Sequence, residues 1–555
     1  MEKIKVVPLG GIGEIGMNCM FMEWDDSIII IDCGVMFPEE QTFGIDFVIP
    51  DFSYLVQNKE KVKALIVTHG HEDHIGAIPF LLEEIPLHIY ATRFSTELIK
   101  SKLEQYPKRK YAPSFIVVDE TTSLQFDDIT IRFNRVRHSI VDGVAIIIDT
   151  PLGKIIHTGD FKEDTEKIKG KKYPLSSFEN FLSKHDKKVI LLSDSTNSDR
   201  AGHSLSEKDV AKKIEDIFIH TEGRIIISLF SSNISRIKNI LRLAKKFNRK
   251  VFLDGKSIIK NVRIAKKLGF ITSHSNRFIG NGEALKHILS KEILVLSTGS
   301  QGEPRSSLRR MATGEHKHIT IHETDTIVLS SKFIPGNERA IYNIINHLYR
   351  QGANVIYGKI SDVHGSGHAN QEELKKLISV VKPTHFIPIH GEYRHLRMHK
   401  ELAESVEHPP QDIILISDGD ILEITEDTVK KNGRIPTGRI IVEGDKTEEY
   451  ESIVLRDRKH LSNTGIVVCT LIANAQTGEI ISDPEIYFKG LFLNNETEKI
   501  LEESKKLVED TFFNATMETK KSRLEIQEEI RVTLRRYFKK KFDKKPLVIP
   551  IVLEV

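Results

Sequence analysis

THGHEDHIG, residues Thr68–Gly76, follows directly on the apolar run VKALIV. It places His69, His71, Asp73 and His74 within six residues. An apolar strand ending in a turn that carries three imidazoles and a carboxylate predicts a metal site on a rigid edge. Neutral imidazole and carboxylate suit Zn²⁺, and Mn²⁺ where oxygen ligands predominate. A lone His-x-His reads as a solvated loop. The full His-x-His-x-Asp-His spacing after a strand does not.

A site for two metals, about 3.5–4 Å apart, needs more ligands and a carboxylate able to bridge them. Candidates lie at the ends of other apolar or alternating runs. Asp160 ends GKIIHTGD, His138 ends ITIRFNRVRH and His390 ends HFIPIH. Each alone is a weak signal, since a strand-end His or Asp is usually a turn residue. Asp32, between SIIII and Cys33–Gly34, is placed to orient a ligand imidazole, or else caps a turn.

The whole chain frames these motifs. At 555 residues it is too long for one core, and two or three domains are expected. With 39% hydrophobic and 28% charged residues it reads as an ordinary globular protein. MEKIKVVPLGG reads as a strand and turn rather than a signal peptide, and no apolar stretch approaches the ~20 residues of a membrane helix. Cys19, Cys33 and Cys469 are at no metal-ligand spacing, which predicts buried free thiols in a reducing cytoplasm. A net charge of +2 announces no nucleic acid. KIKGKK (Lys167–Lys172) and LRRYFKKKFDKK (Leu534–Lys545) are local basic runs that read as solvated faces or as polyanion contacts.

Texture divides the chain. Residues up to about 160 hold many short β-type runs, among them SIIIIDCG, LHIYAT, ITIRFNRV and VAIIIDT, with RFSTELIKSKLEQY as an interposed helix. From 206, helix and strand alternate. SEKDVAKKIEDIFIHTEG is a helix with Ser206 as N-cap, RIIISLF a buried strand and NISRIKNILRLAKKFN a second helix. HFIPIHGE reads as a return to the first domain. Toward the C-terminus, SIVLRDRK and GIVVCTLIA read as strands, TEKILEESKKLVEDTF and SRLEIQEEIRVTLRRYFKKKF as helices, and LVIPIVLEV as a closing strand. Gly11-x-Gly13-x-x-Gly16 after a strand matches a dinucleotide fingerprint on paper. MNCMFMEWDDS leaves no room for the crossover helix, so a tight turn into a hairpin is the better reading.

Taken together, the His-turn, His138, Asp160 and His390 resemble the metallo-β-lactamase fold. SDSTNS (Ser193–Ser198), SSNISR (Ser231–Arg236), STGSQGEP (Ser297–Pro304), PGNE (Pro335–Glu338), HGSGHANQEEL (His364–Leu374) and PIHGEYRHL (Pro388–Leu396) resemble its β-CASP branch, and within it bacterial ribonuclease J. These motifs run in order across nearly the whole chain. Gly365 stands where Val is frequent, and Asn233 and Lys332 stand in segments that are usually Ser-rich or small.

The resemblance implies an α/β architecture. A metallo-β-lactamase αββα sandwich would occupy 1–205 and 363–430, split by a parallel α/β β-CASP domain at 206–362. A linker at 431–450 would lead to a small α+β C-terminal domain at 451–555. It implies two divalent ions, Zn²⁺ first, with Mn²⁺ or Mg²⁺ possible. His69, His71 and His138 would hold one, Asp73, His74 and His390 the other, and Asp160 would bridge. Hydroxide would attack the phosphodiester in line, with His368 as general acid at the leaving oxygen and Asp194 orienting it. Ser231, Ser232, Asn233, His364, Gly365, Ser366 and Gly367 would hold RNA or a 5′-monophosphate. The implied activity is 5′-to-3′ exonuclease and endonuclease cleavage of single-stranded RNA, in RNA maturation and mRNA decay. The implied assembly is a homodimer or homotetramer, with a paralogous subunit as a further partner.

Other classes fit less well. A small-molecule metallohydrolase shares the ligands but has no use for the inserted domain. A DNA nuclease of the β-CASP branch typically lacks a histidine at the position matched by His390. A weakly active scaffold subunit usually loses metal ligands, and all seven are present here.

Overall fold

The structure, a computed structural model, describes residues 2–37, 44–107, 109–164, 173–183, 188–272, 277–334, 337–358, 360–444, 446–449, 453–474, 477–491 and 496–555. Two compact units emerge, one built from residues 1–37 and 46–444, the other mainly from 445–555.

Period-2 alternation explains the layers of the first unit. In strand Ser27–Ile31, Ile28 and Ile30 join a core with Leu81, Leu82, Phe94 and Leu98 of two helices. Ile29 and Ile31 point the other way, onto Ile131, Phe133, Ile146 and Ile148 of a second sheet. That sheet's outer residues, Ile147, Leu191 and Phe386, pack with Leu374, Leu377 and Ala403 of two more helices. Helix, sheet, sheet, helix is the expected αββα sandwich. The first sheet has eight strands and the second six.

The register of the second sheet locates the insertion. Strand Val189–Asp194 pairs in parallel with His385–Ile389, with Asp194 opposite Ile389. The chain therefore leaves the sheet after Asp194 and returns as the neighbouring strand, which sets Asp194 and His390 side by side. Between them lies a five-stranded parallel sheet in the order Lys250–Asp254, Ile293–Ser297, Ile225–Ser228, Thr326–Leu329, Asn354–Ile356. Its central strands are buried along their whole length, as a sheet covered on both faces requires. Ser206 caps helix Glu207–His220 by accepting from Asp209 N, as expected.

The glycine-rich turn closes a hairpin: Lys3–Gly10 pairs antiparallel with Cys19–Trp24, and Gly11 and Gly16 take φ values of +92° and +110°. Part of the stretch 431–450, read from composition as a linker, is strand among its described residues. Val429–Arg434 extends the first sheet, and Arg439–Glu443 pairs with Phe47–Pro50, burying Ile441 and Val442.

In the second unit, strand Ile466–Ala473 lies antiparallel to Ile480–Lys489 and parallel to Leu547–Glu554. Helix Arg523–Phe542 buries Ile526, Ile530, Leu534 and Phe538 at helical spacing beside Val508 and Phe512 of helix Thr497–Asn514. SIVLRDRK is not a strand. Ile453–Thr464 is a helix, with Leu455 and Arg458 both partly buried at i, i+3.

KIKGKK lies outside the described residues. In LRRYFKKKFDKK, Lys541 pairs with Glu503 and Lys539 with Asp543, while Leu534 and Phe538 face the core. The three cysteines are free and buried, as expected. No described helix is long and apolar enough to cross a membrane.

Candidate metal centre

The His-turn hangs on Asp32. This residue sits at the end of strand Ser27–Ile31 with φ +58°, and its carboxylate accepts from Thr68 N at 2.8 Å and Thr68 Oγ1 at 2.7 Å. His74 Nδ1 lies 2.8 Å from Asp32 Oδ2. With that bond made, His74 Nε2 is turned toward Asp160, 3.4 Å from its Oδ2. Asn18, from the turn before strand Cys19–Trp24, donates through Nδ2 to the Asp73 carbonyl at 3.1 Å and lies 3.2 Å from His74 Nε2.

Two groups of side chains meet at Asp160. His69, His71, His138 and Asp160 offer donor atoms within 4.8 Å of one another, and so do Asp73, His74, Asp160 and His390. His71 Nδ1 lies 3.0 Å from both His69 Nε2 and His138 Nε2. Asp160 Oδ2 is 3.5 Å from His69 Nε2 and from His138 Nε2, while Oδ1 is 3.4 Å from His390 Nε2. His138 Nδ1 faces the Gly367 carbonyl at 2.7 Å, which leaves Nε2 for the centre. A Cβ at Gly367 would lie 2.6 Å from the His138 ring, so only glycine fits there. Thr196 Oγ1 lies 2.7 Å from both His390 Nδ1 and Asp194 Oδ1, and so turns His390 Nε2 inward.

The electrostatics favour a cation. Burial lowers His69 and His138 well below the usual imidazole range and brings His71 to about 4. Their ring nitrogens are therefore neutral lone-pair donors facing one another. Burial would also lower His74 and His390, but the Asp160 carboxylate, helped by Asp73 at His74 and by Asp194 and Asp73 at His390, raises both well above the usual range. The carboxylates draw positive charge into the space that these imidazoles line. Asp160 Oδ1 and His390 Nε2 are buried without a hydrogen-bond partner. This donor set fits a divalent metal site.

Beside it, His368 Nδ1 lies 2.8 Å from Asp194 Oδ2. The His368 ring stacks at 5.5 Å on His390 and meets His138 edge-on at 4.8 Å. Burial would raise the Asp194 carboxyl, but His368 and His390 hold it well below the usual range. Asp160, Asp194, His368 and His390 also meet the spacing of a metal-holding group.

The phosphate-pocket candidates have distinct placements. Ser232 Oγ is 3.1 Å from His71 Nε2. Ser231 Oγ accepts from Asn261 Nδ2 at 3.1 Å. Asn233 caps helix Ile234–Lys246 by accepting from Arg236 N, and is 2% exposed. His364 Nδ1 accepts from Arg236 Nη1 at 2.7 Å, and the Gly365 carbonyl accepts from Arg236 Nη2 at 3.1 Å. Ser366 Oγ accepts from Asn197 Nδ2 at 2.8 Å and from His368 N at 3.2 Å. Pro335 and Gly336 of the PGNE segment lie outside the described residues. Sequence reasoning missed Asn18, Thr196, Asn197, Arg236 and Glu207. Thr196 and Asn197 lie inside the quoted SDSTNS motif and could have been singled out. Asn18 carries no such signal.

Family models match in four segments: "Metallo-beta-lactamase superfamily" at 12–206, "Ribonuclease J, beta-CASP domain" at 222–348, "Zn-dependent metallo-hydrolase RNA specificity domain" at 354–414 and "Ribonuclease J C-terminal domain" at 453–555. Ribonuclease J of Helicobacter pylori is 37% identical over 98% of this chain and 79% of its own length. Ribonuclease J 1 of Streptococcus pyogenes is 37% identical over 100% of this chain and 98% of its own. Ribonuclease J2 of Bacillus subtilis is 35% identical over 100% and 99%. Among solved structures, a protein of unknown function from Enterococcus faecalis superposes with a TM-score of 0.55 at 16% identity, over 76% of this chain and all of that one, a likeness of fold alone. The chain belongs to the ribonuclease J family.

Proposed function

We propose that the chain is a metal-dependent ribonuclease that removes nucleotides from the 5′ end of single-stranded RNA and also cuts it internally. His69, His71 and His138 would hold one divalent ion and Asp73, His74 and His390 a second, with Asp160 shared. Zn²⁺ suits this nitrogen-rich set best, with Mn²⁺ or Mg²⁺ as alternatives. Bound divalent ions supply Lewis acidity toward phosphate oxygens and lower the pKa of water.

The chain's own residues do the rest. Asp194 accepts a hydrogen bond from His368 Nδ1–H, which leaves Nε2 to carry a proton to the departing 3′ oxygen. Asp32, Thr196 and the Gly367 carbonyl fix three imidazole tautomers. Ser366 accepts two hydrogen bonds, so its own O–H is free to donate to a terminal or backbone phosphate. A pocket that admits one 5′ phosphate would favour 5′-monophosphorylated RNA.

The observation that carries this reading is the position of Asp160, whose two oxygens face both groups of histidines. The test is product analysis on one 5′-labelled RNA, carrying either a monophosphate or a triphosphate, with metal-loaded protein. Labelled mononucleotide from the monophosphate form, and internal fragments from both forms, are expected. No cleavage of either would contradict the reading.

A further inference from the structure

Lys332 follows strand Thr326–Leu329, at the carboxyl end of the parallel sheet, where open α/β sheets bind ligands. Its Nζ lies 3.0 Å from Asn197 Oδ1. Asn197 is buried, and its amide donates to Ser366 Oγ at 2.8 Å and to the His368 carbonyl at 3.1 Å. One side chain thus joins this ammonium to the segment that carries His368.

Several buried cations of the first unit have carboxylate partners, whereas buried Arg249 is held by the backbone carbonyls of Gly223, Ile293 and Thr221. Lys102 pairs with Glu72 at 2.5 Å, Lys162 with Asp164 at 3.4 Å and Arg236 with Glu207 at 2.6 Å. Lys332 forms no ion pair among the described residues. Burial, then Arg200, push it down to about 8, against the weaker pull of Asp199 and Asp194. A half-buried charge with one neutral partner is costly unless an anion completes it. The anion that the neighbouring residues prepare for is a phosphate, since the Ser366 hydroxyl is free to donate on the same network.

We propose that Lys332 is a substrate-binding residue that pairs with a backbone phosphate of the RNA beside His368. The proposal rests on the ribonuclease reading. On this reading Lys332 acts through the affinity for RNA, and the chemical step belongs to His368 and the metal ligands.

The test uses the full-length metal-loaded protein, the Lys332→Met and Lys332→Arg variants, and a 5′-monophosphorylated RNA over a range of salt. Thermal unfolding of all three is followed in parallel. Lys332→Met should raise KM about tenfold or more, the loss of one hydrogen bond to a charged group, with kcat nearly unchanged. The slope of log kcat/KM against log salt should fall by about 0.7, one phosphate contact on a single strand. Lys332→Arg keeps the charge and should keep the wild-type slope. Equal KM and equal slope in wild type and Lys332→Met would overturn the proposal and leave RNA cleavage standing. So would a fall in kcat and in thermal stability that Lys332→Arg shares, because that marks a structural role. Failure of the wild type to cleave RNA would overturn the ribonuclease reading itself.

Discussion

The Ser232 hydroxyl lies 3.1 Å from Nε2 of His71, so a residue of the inserted domain touches an imidazole of the metal centre. The contact turns His71 Nδ1 toward His69 and His138. Ser232→Ala should therefore weaken metal binding or activity by roughly 10–100-fold, the usual effect of removing a partner of a ligand imidazole. Metal titration of the purified variant checks this. Wild-type affinity and activity would show that the contact does not orient His71.

His368→Ala should separate chemistry from metal binding. On the proposed reading His368, whose Nδ1 lies 2.8 Å from Asp194 Oδ2, would move a proton. The variant should keep its metal content and lose about 10²–10⁴-fold in single-turnover cleavage. Loss of metal instead would mark His368 as a ligand, a role its distance of 4.0 Å from Asp160 Oδ2 also permits.

Ser366→Ala removes the hydroxyl that accepts from Asn197 and His368 N. If that hydroxyl holds a 5′ phosphate, exonucleolytic decay should weaken by about 1.5–3 kcal/mol, and internal cutting by less. Both activities are read on one labelled transcript. Equal losses, with equal rates on monophosphate and triphosphate ends, would remove the pocket from this position.

The Arg236–Glu207 pair is buried, and Arg236 also holds His364 and the Gly365 carbonyl. Glu207→Gln leaves Arg236 without its counter-charge and should destabilise the fold by about 3–5 kcal/mol at neutral pH. Burial would raise the Glu207 carboxyl, but Arg236 and Lys162 lower it. A lowered carboxyl adds stability above its unfolded pKa of about 4.3, and that stability is lost as pH falls through the folded value. The gap in unfolding midpoint between wild type and Glu207→Gln should thus be full above about pH 5 and close in stronger acid. A gap independent of pH would show that the charge of Glu207 is not what stabilises.

Much of this cluster of side chains is legible in the sequence. His69 to His74 form one local turn, and His138, Asp160 and His390 each close an apolar or alternating run, so strand patterning alone marks them as edge residues. What a sequence cannot show is which strands are neighbours. Asp194 and His390 come together through the parallel pairing of Val189–Asp194 with His385–Ile389, across the whole inserted domain. The same holds for Ser232 on His71 and for Lys332 on Asn197, which depend on how the inserted sheet packs. Locally weak signals also misled. The Gly and Pro of residues 431–450 read as a linker, although Ile441 and Val442 bury against the strand Phe47–Pro50. SIVLRDRK has too short an apolar run to tell alternation from a helical face.

The central claim is that the histidines around Asp160 hold the metal on which RNA cleavage depends. It is tested most directly by measuring metal content and RNA cleavage together in chelated, reconstituted and His71→Ala protein. Cleavage should vanish on chelation, return with added Zn²⁺ or Mn²⁺ in the wild type, and stay low in His71→Ala with reduced metal content. Full cleavage by the metal-free wild type would contradict the account.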